Sequence, residues 1–501
     1  MPRQKSTRNG LPELPVRTAV AALRSALLRG HAVLTAEPGS GKTTLIPLLL
    51  LDEQWLTGRS ILMLEPRRPA ARMAARRMAQ LLGEEVGGTV GYQVRFERKI
   101  SESTRIEVLT EGLLLRRLQN DPELSSVGLL IFDEFHERSL VGDLSLALGL
   151  DVAAGLREDL RLLVMSATLD AQPLADLLQA PVVTALGRQH PVDVIHMPQD
   201  ADPRDPTPAC LRALGQALEC SNGDVLVFLP GRREIERMRQ AVETQSGAGL
   251  DVLTLFGDMP AAAQDVVLRG GGGARRRVIL ATDIAETSLT IEGVQAVVDS
   301  GLARRPVFDP NTGLTRLQTQ WISRASAQQR AGRAGRLGPG QCLRVWTPAR
   351  HARLAEWTPP EITEADLAGL VLELANWGVT DPGQLRWLDL PPPAHWQQAV
   401  GLLRQLGALD AEARITKTGR GMARFPAHPR LAHVLVSAVG RQDQAVAAEV
   451  VALLSERDPL GRTPMQQRSA DITLRIDALA ALGGHAQLPS GFDATALRRI
   501  E

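Results

Sequence analysis

Residues 36–44 (AEPGSGKTT) have the residue types and the spacing that bind phosphate groups. This stretch follows a short apolar run, residues 32–35, and precedes an apolar segment, residues 45–51, that predicts a helix. A strand, a glycine-rich turn and a helix together form the context of a phosphate-binding loop, in which backbone N–H groups point at the ligand. We therefore predict that a nucleotide binds to Glu37, Pro38, Gly39, Ser40, Gly41, Lys42, Thr43 and Thr44.

The side chains of this loop divide the work between phosphate and metal. Gly39 and Gly41 allow a tight turn, Lys42 reaches the β- and γ-phosphates, and the Thr43 hydroxyl binds Mg²⁺. Ala36 stands where such loops usually begin with glycine, and a small residue is compatible with the turn. The alternative is a glycine-rich turn with an incidental Lys-Thr pair.

Two carboxylates follow an apolar run, residues 127–132 (VGLLIF), that is typical of a central parallel strand. A carboxylate pair at the tip of a buried strand is costly to desolvate unless a cation lies beside it. We predict that Asp133 and Glu134 contribute with Thr43 to the Mg²⁺ site, and that Glu134 orients or deprotonates the attacking water. The alternative is a helix cap followed by a surface acid.

An arginine-rich run, residues 329–336 (QRAGRAGR), lies in a second α/β segment that has no phosphate loop of its own. Arg333 and Arg336 are three residues apart, so a helix would place them on one face. We predict that they act as two arginine fingers directed at a γ-phosphate. A solvated basic start of a helix is the alternative.

Strand and helix patterns alternate from residue 16 to about residue 298, which predicts an α/β fold with parallel sheets. The candidate site residues follow the predicted strands, where ligands bind in such sheets. Residues 304–308 and 314–320 alternate like strands around the turn sequence DPNTG and predict a projecting hairpin.

Composition limits the class of protein. The chain has 501 residues, 44% of them hydrophobic and 23% charged, which is typical of a globular protein of about three domains. The net charge of +1 indicates no global basic field, and 3% aromatic residues exclude stacking as the main means of holding nucleic acid. Three cysteines without short spacing predict no structural zinc and a reducing cytoplasm. We find no signal peptide and no membrane span, and so expect a cytoplasmic protein without a membrane partner.

Five motifs occur in the order found in superfamily 2 helicases: residues 36–44, 133–136 (DEFH), 166–168 (SAT), 281–291 (ATDIAETSLTI) and 329–336. The last two resemble the DEAH/RHA branch in particular, with DEFH in place of DEAH. Residues 453–460 and 469–479 resemble the bacterial HrpB-type helicases. The resemblance covers roughly residues 15–480.

The resemblance implies further roles for single residues. Gln329 would position the attacking water, and the family assigns coupling between the domains to His136, Ser166 and Thr168. Contacts with the nucleic-acid backbone are implied for Arg67, Arg68, Thr110, Gly231 and Thr290. Arg76 or Arg77 would stack on the base, although Leu268 stands where the family has the opposing aromatic residue.

The resemblance also implies a domain plan. After a disordered start, residues 1–14, we expect a RecA-like domain at 15–188 and a second RecA-like domain at 189–352. A winged-helix domain would follow at 353–427, and a partial, ratchet-like helical region at 428–501. Whether the chain is truncated at Glu501 stays open.

These expectations describe an ATP-dependent and Mg²⁺-dependent helicase that moves 3′-to-5′ on single-stranded nucleic acid. RNA is favoured as the substrate. Two alternatives stay open: a DNA-directed translocase with the same machinery, and a nucleotide-gated binding protein with little turnover.

Overall fold

The computed structural model describes residues 10–500 except 38, 168–170, 186, 188–189, 247–248, 269–274, 287–290, 311, 337, 461–468 and 485–486. Three predicted site residues, Pro38, Thr168 and Thr290, therefore lie outside the described residues. The chain forms two compact units: Met1–Ala365 with Leu385–Leu390, and Asp366–Gln384 with Pro391–Glu501.

The first unit contains two parallel sheets. The first sheet has the order β4-β3-β5-β2-β6-β7-β1-β8, and all neighbouring strands are parallel except β3 and β4. Its strands are β1 Ala32–Ala36, β2 Ser60–Glu65, β3 Val90–Val94, β4 Glu97–Lys99, β5 Ile106–Thr110, β6 Val127–Phe132, β7 Arg161–Ser166 and β8 Val182–Ala185. The accompanying helices are α1 Val20–Arg29, α2 Lys42–Leu50, α3 Arg68–Leu81, α4 Glu111–Asn120, α5 Leu140–Gly155 and α6 Ala171–Leu178.

The second sheet has the order β11-β12-β10-β13-β16-β9 and is parallel throughout. Its strands are β9 Val192–His196, β10 Asp224–Phe228, β11 Leu250–Leu255, β12 Arg276–Ala281, β13 Val294–Asp299 and β16 Gly340–Arg344. Its helices are α7 Thr207–Cys220, α8 Arg232–Ser246, α9 Ala261–Leu268, α10 Arg324–Gly332 and α11 Pro348–Ala352. The predicted hairpin is formed by β14 Leu302–Asp309 and β15 Leu314–Trp321, which pair antiparallel.

The sequence explains why the first sheet is covered on both faces. All six residues of β6 are buried, as a central parallel strand requires. Helix α5 is apolar on nearly every side, and Ser139 caps it by accepting a hydrogen bond from the Gly142 N–H at 2.9 Å. Helix α3 instead buries a face of alanines and methionine and leaves its arginines toward solvent or the cleft.

The second unit is helical. Its helices are α12 Ala368–Trp377, α13 Pro393–Gln405, α14 Lys417–Ala423, α15 Pro429–Ser437, α16 Arg441–Ser455, α17 Thr473–Gly483 and α18 Ala494–Ile500. Residues 415–419 combine a strand bridge with the start of a helix. Ile415 bridges antiparallel to Leu409, and Thr416 caps α14 by accepting the Gly419 N–H at 3.1 Å, so the turn is already helical. Every helix in the described part of the chain is too short or too polar to cross a bilayer.

Two domain boundaries differ from the prediction. Residues 10–14 are ordered rather than disordered, because Leu11 is buried in the core and Arg17 donates to the carbonyls of Leu11 and Pro12 at 2.7 and 3.0 Å. Residues 353–365 group with the first unit, because Glu361 accepts the Leu140 N–H at 2.8 Å and donates its own N–H to the Arg138 carbonyl at 3.0 Å. The other predicted boundaries stay predictions.

His31 couples the stability of the first sheet to pH. Its Nδ1 accepts the Leu162 N–H at 3.2 Å, and burial, followed by the charges of Arg161 and Arg386, lowers its pKa to about 4. The folded pKa lies below the unfolded value of about 6.5, so the neutral form stabilises the fold. This stabilisation is fully present above a pH of about 6.5 and is lost as the pH falls toward the folded pKa of about 4.

We expect His31→Asn to flatten the pH dependence of thermal unfolding between about pH 7 and pH 5. The wild type should lose melting temperature over this interval, because unfolding lets His31 take up a proton, whereas the variant has no such group. The same change at the exposed His190 provides the control. Parallel pH curves for the wild type and His31→Asn would show that His31 does not contribute.

Candidate active site

The phosphate-binding loop has the backbone that its glycines predict. Gly39 and Gly41 have φ angles of +86° and +92°, and Lys42 begins α2 directly after them. A Cβ atom on Gly41 would lie 2.7 Å from Cδ1 of Leu14. The positive φ therefore requires glycine at position 41, and a side chain there would also displace the end of Leu14.

The two carboxylates of the DEFH motif lie against this loop. Thr43 donates from Oγ1 to Oδ2 of Asp133 at 2.5 Å, and Nζ of Lys42 lies 3.2 Å from Oε1 of Glu134. The sheet order explains the contact, because β7 separates the loop strand β1 from β6 and all three end at the same edge. The structure therefore brings Thr43, Asp133 and Glu134 together, and their role at a metal stays a prediction.

Burial and charge shift the pKa values of these groups in opposite directions. Burial, followed by the charge of Glu134, raises the pKa of Asp133 to about 6. Burial acts the same way on the pKa of Glu134, but Lys42 and His136 outweigh it and lower that pKa. Burial would lower the pKa of Lys42, and the charges of Glu134 and Asp133 reverse this and raise it. Glu134 is therefore ionised and paired, whereas Asp133 is short of positive charge.

Glu134 has a left-handed backbone, with φ +51° and ψ +33°. This conformation is uncommon for a residue with a side chain, and such residues concentrate at functional sites. The N–H of Glu134 donates to Oδ1 of Asp133 at 2.8 Å, so the turn also fixes the first carboxylate. The strained turn thus holds both carboxylates beside the phosphate-binding loop.

His136 lies between the carboxylates and the end of β7. Its Nδ1 is 3.4 Å from Oε2 of Glu134 and also accepts the Ala167 N–H at 3.4 Å. Ser166, the residue before Ala167, is fully buried at the end of β7. The structure thus brings His136 close to the strand end that contains Ser166, and their coupling role stays a prediction.

Helix α10, which packs on the second sheet, and the turn after it contribute the arginine-rich run to the same cleft. Gln329, Arg333 and Arg336 line this cleft together with Lys42, Thr43 and Glu134. Helix α10 ends at Gly332, so Arg333 and Arg336 lie in the following turn and not on a helix face as we predicted. The sequence Ala-Gly-Arg-Ala-Gly explains the early end, because glycine is a poor helix residue.

Both arginines are cations in a low-dielectric environment. Arg333 donates from Nε to the Glu286 carbonyl at 2.9 Å. Burial, followed by the charge of Arg336, lowers the pKa of Arg333 well below its usual value, and burial lowers the pKa of Arg336 to about 10. A polyphosphate that entered the cleft would offset this cost, so the second sheet supplies the positive side of an anion site.

Sequence reasoning missed Arg330, which lies in the same run but has a different task. It is 1% exposed and lies 2.9 Å from carboxylate oxygens of both Glu286 and Asp299. The pair with Asp299 ties α10 to the end of β13, and the pair with Glu286 ties it to residues 281–286. Arg330 therefore holds the arginine-rich turn in position, although its type and spacing resemble those of the other two arginines.

Each sheet, with its helices, forms one α/β domain, and the far end of the cleft also contains residues from both domains. Arg76 and Arg77 of α3 line it, with Met73 from the same helix and Leu268 from α9. Arg76 donates from Nη1 to Oδ2 of Asp265 at 2.8 Å, which links the two α/β domains. Asp265 was not predicted, because it lies 189 positions from Arg76 in the chain.

The predicted nucleic-acid contacts fall at separate places. Thr110 lies beside Glu65 at the neighbouring strand end, and Arg68 is exposed at the start of α3. Arg67 is 3.2 Å from Glu137 and 3.7 Å from Asp283, so carboxylates already hold its guanidinium. Gly231 belongs to the second α/β domain, where a Cβ atom on it would lie 2.8 Å from Nη1 of Arg304.

The cleft suits a nucleoside triphosphate with a divalent cation. It has a volume of about 630 Å³ and runs from the phosphate loop to Arg76 and Leu268. Ser40 of the loop is 2% exposed, and its hydroxyl has no hydrogen-bond partner among the described residues. The buried hydroxyl of Ser40 without such a partner fits a phosphate, and the carboxylate of Asp133, which is short of positive charge, fits a hydrated Mg²⁺. Within the described residues, no group of three His, Cys, Asp or Glu side chains is placed to hold a metal directly.

Comparisons with known families agree with this geometry. Residues 18–177 match the DEAD/DEAH box helicase family, residues 209–338 match the helicase conserved C-terminal domain, and residues 399–427 match the winged-helix helicase associated domain HA2. The crystal structure of the Escherichia coli DEAH/RHA helicase HrpB superposes with a TM-score of 0.84 at 44% identity, over 91% of this chain and 57% of that one. The chain belongs to the DEAH/RHA-type helicases. Its fold is accordingly two α/β domains with a winged-helix domain.

The curated relatives are longer than this chain. It is 44% identical over 480 residues to the ATP-dependent RNA helicase HrpB of Escherichia coli. This match covers 93% of this chain and 59% of that helicase. It is 36% identical over 477 residues to the pre-mRNA-splicing factor ATP-dependent RNA helicase prp22 of Schizosaccharomyces pombe, covering 93% and 40%. The chain thus spans about two fifths to three fifths of the length of these relatives.

We expect Asp265→Asn to strengthen nucleotide binding, because Asp265 holds Arg76 and adds negative charge to the cleft. The ion pair is partly exposed, so the gain should stay below about 1 kcal/mol, or up to about fivefold in affinity. Arg76→Ala should weaken binding, and the double variant should bind more tightly than Arg76→Ala but more weakly than Asp265→Asn. The measurement is a fluorescence titration with a labelled nucleotide.

Asp251→Asn, which removes an exposed carboxylate from the same domain, provides the control. A loss of affinity in Asp265→Asn comparable to that in Arg76→Ala would mean that the ion pair itself supports nucleotide binding.

Proposed function

We propose that this protein is an ATP-dependent helicase that moves 3′-to-5′ along single-stranded RNA. The observation that carries the proposal is that one cleft is lined from both α/β domains. Lys42, Thr43 and Glu134 come from the first domain, whereas Gln329, Arg333 and Arg336 come from the second. A site divided in this way can hydrolyse nucleotide only when the domains are correctly placed, which couples chemistry to motion.

Phosphate binding would begin at the first domain. The loop N–H groups and the start of α2 would hold the phosphates, and Lys42 would contact the β- and γ-phosphates. Thr43 and Asp133 would hold Mg²⁺, which would supply neutralisation of the phosphate charge when bound. Lys42 would then leave Glu134 for the phosphates, so Glu134 would lose the cation that lowers its pKa. It would become a stronger base at the moment when nucleotide is present.

Hydrolysis would use residues from both domains. Glu134 would accept a proton from the attacking water, and Gln329 would orient that water. Arg333 and Arg336 would stabilise the charge on the transferring phosphoryl group. His136 and Ser166, with Thr168, would pass the change at Glu134 to the neighbouring strand end.

Nucleic acid would favour the closed cleft by contacting both domains. Arg67, Arg68 and Thr110 of the first domain, with Gly231 and Thr290 of the second, would contact the backbone. A strand that binds the closed form better shifts the equilibrium toward it, so it would stimulate hydrolysis. The names of the relatives support RNA as the substrate. A DNA-directed translocase stays the alternative, and side-by-side unwinding of matched RNA and DNA duplexes would distinguish the two.

We expect Glu134→Gln to reduce steady-state ATP hydrolysis by about 10²–10⁴-fold, because it removes a general base and keeps the side-chain volume. ATP and RNA binding should persist, since the phosphate loop is intact. Turnover is to be measured without nucleic acid, with single-stranded RNA and with single-stranded DNA. Glu158→Gln, at an exposed position of the same domain, provides the control. Hydrolysis by Glu134→Gln at close to the wild-type rate would refute the assignment.

We expect Arg336→Ala to reduce turnover by about 10³-fold or more, because it removes charge stabilisation at the transferring phosphoryl group. ATP affinity should fall far less, since the first domain still holds the phosphates. Arg336→Lys should recover part of the rate, and the exposed Arg353→Ala should change neither quantity. If affinity and turnover fell by the same factor, Arg336 would be a binding residue only.

A further inference from the structure

Glu65 is a buried carboxylate at the cleft to which the proposed mechanism gives no role. It ends β2 and is fully buried, with 0% of its surface exposed. The Asp133 N–H donates to the Leu64 carbonyl at 3.1 Å, so the backbone positions of Glu65 and Asp133 are fixed to each other. Glu65 lines the same cleft as Lys42, Thr43 and Glu134.

Neither carboxylate oxygen of Glu65 has a hydrogen-bond partner among the described residues. Burial without a partner is costly for a carboxylate, whether it is ionised or carries a proton that needs an acceptor. Burial, followed by the negative charges of Asp133 and Glu134, raises the pKa of Glu65 well above its usual value. Lys42 acts in the opposite direction, but it already pairs with Glu134 at 3.2 Å.

The three acids therefore exceed the positive charge that Lys42 supplies. Asp133, Glu134 and Glu65 would carry three negative charges in one buried region when ionised. The arrangement becomes balanced when a divalent cation enters beside Asp133. Within the described residues, no three-carboxylate group is placed for direct coordination.

We infer that Glu65 completes the metal site by accepting a hydrogen bond from a water molecule bound to Mg²⁺. This inference rests on the proposed function, which brings Mg²⁺ with the nucleotide. Mg²⁺ dehydrates reluctantly and keeps several waters in nucleotide sites, and an ionised carboxylate is a pure acceptor for them. Residues that orient the water or ligand of a metal in this way change metal affinity about 10- to 100-fold when they are replaced.

The test is the affinity of the full chain for Mn²⁺, measured by electron paramagnetic resonance in the presence of ADP. Glu65→Gln keeps the volume of the side chain and removes its charge. We expect it to weaken Mn²⁺ binding in the nucleotide complex by about tenfold or more. Metal-free ADP affinity should stay equal or rise, because a negative charge near the phosphates is removed.

Glu111→Gln provides the matched control. Glu111 directly follows β5 at the same edge of the sheet and accepts from Ser139 at 2.6 Å, but it lies outside the lining of the cleft. The Glu111→Gln variant should bind Mn²⁺ with wild-type affinity. Glu65→Asp, which keeps the charge but withdraws it by one methylene, should bind Mn²⁺ with intermediate affinity. This second variant keeps the test valid if Glu65→Gln is unstable.

The outcomes separate this inference from the function on which it rests. Wild-type Mn²⁺ affinity in Glu65→Gln and Glu65→Asp, with unchanged melting temperatures, would overturn the role of Glu65 alone. A wild-type protein that bound ADP without any metal dependence would overturn the Mg²⁺-dependent function and the inference together.

Discussion

The ion pair between Lys42 and Glu134, at 3.2 Å, is the interaction on which the site depends. Lys42 is the cation that acts on three buried acids, and in this structure it is held by one of them. The resulting shortage of positive charge bears on three further features of the cleft. Asp133 keeps a raised pKa, Glu65 has no hydrogen-bond partner among the described residues, and the arginines of the second domain face an anion site that is half built. A metal–nucleotide complex would supply a cation for the buried acids and an anion for the arginines together. Either one alone would leave the other charges of the cleft without compensation.

Because the site is divided between two α/β domains, the turn after α10 must be held in a fixed position. The arginine-rich turn must present Arg333 and Arg336 to the cleft, yet a turn after a helix is free to move unless something holds it. Arg330 holds the turn by pairing with Glu286, which follows β12, and with Asp299, which ends β13. One arginine thus fixes the turn in which the next two lie. Breaking a buried pair of this kind is costly, because the remaining charge stays buried without compensation.

The sequence predicted those parts of the site that depend on local order. The phosphate loop, the acids after β6 and the hairpin at β14 and β15 all follow from short patterns of glycine, apolar runs and turn residues. The exceptions depend on contacts that are distant in sequence. Asp265 meets Arg76 only through the placement of two domains, and Leu11 is ordered only because the first sheet offers it a core. Arg333 and Arg336 line the cleft as expected but have a different local structure, since helical spacing alone does not show where glycines end a helix.

Glu65 shows why a site of this kind cannot be read from residue types alone. Its sequence context, an acid between an apolar run and Pro66, is equally typical of an exposed strand end. Only the sheet order places it beside Asp133, because β2 and β6 are neighbours in the sheet although β3, β4 and β5 lie between them in the chain. Parallel neighbours bring their carboxyl ends to one edge whatever their separation in the chain. Charge therefore accumulates at that edge by topology, and the metal–nucleotide complex is the ligand whose charge distribution matches it.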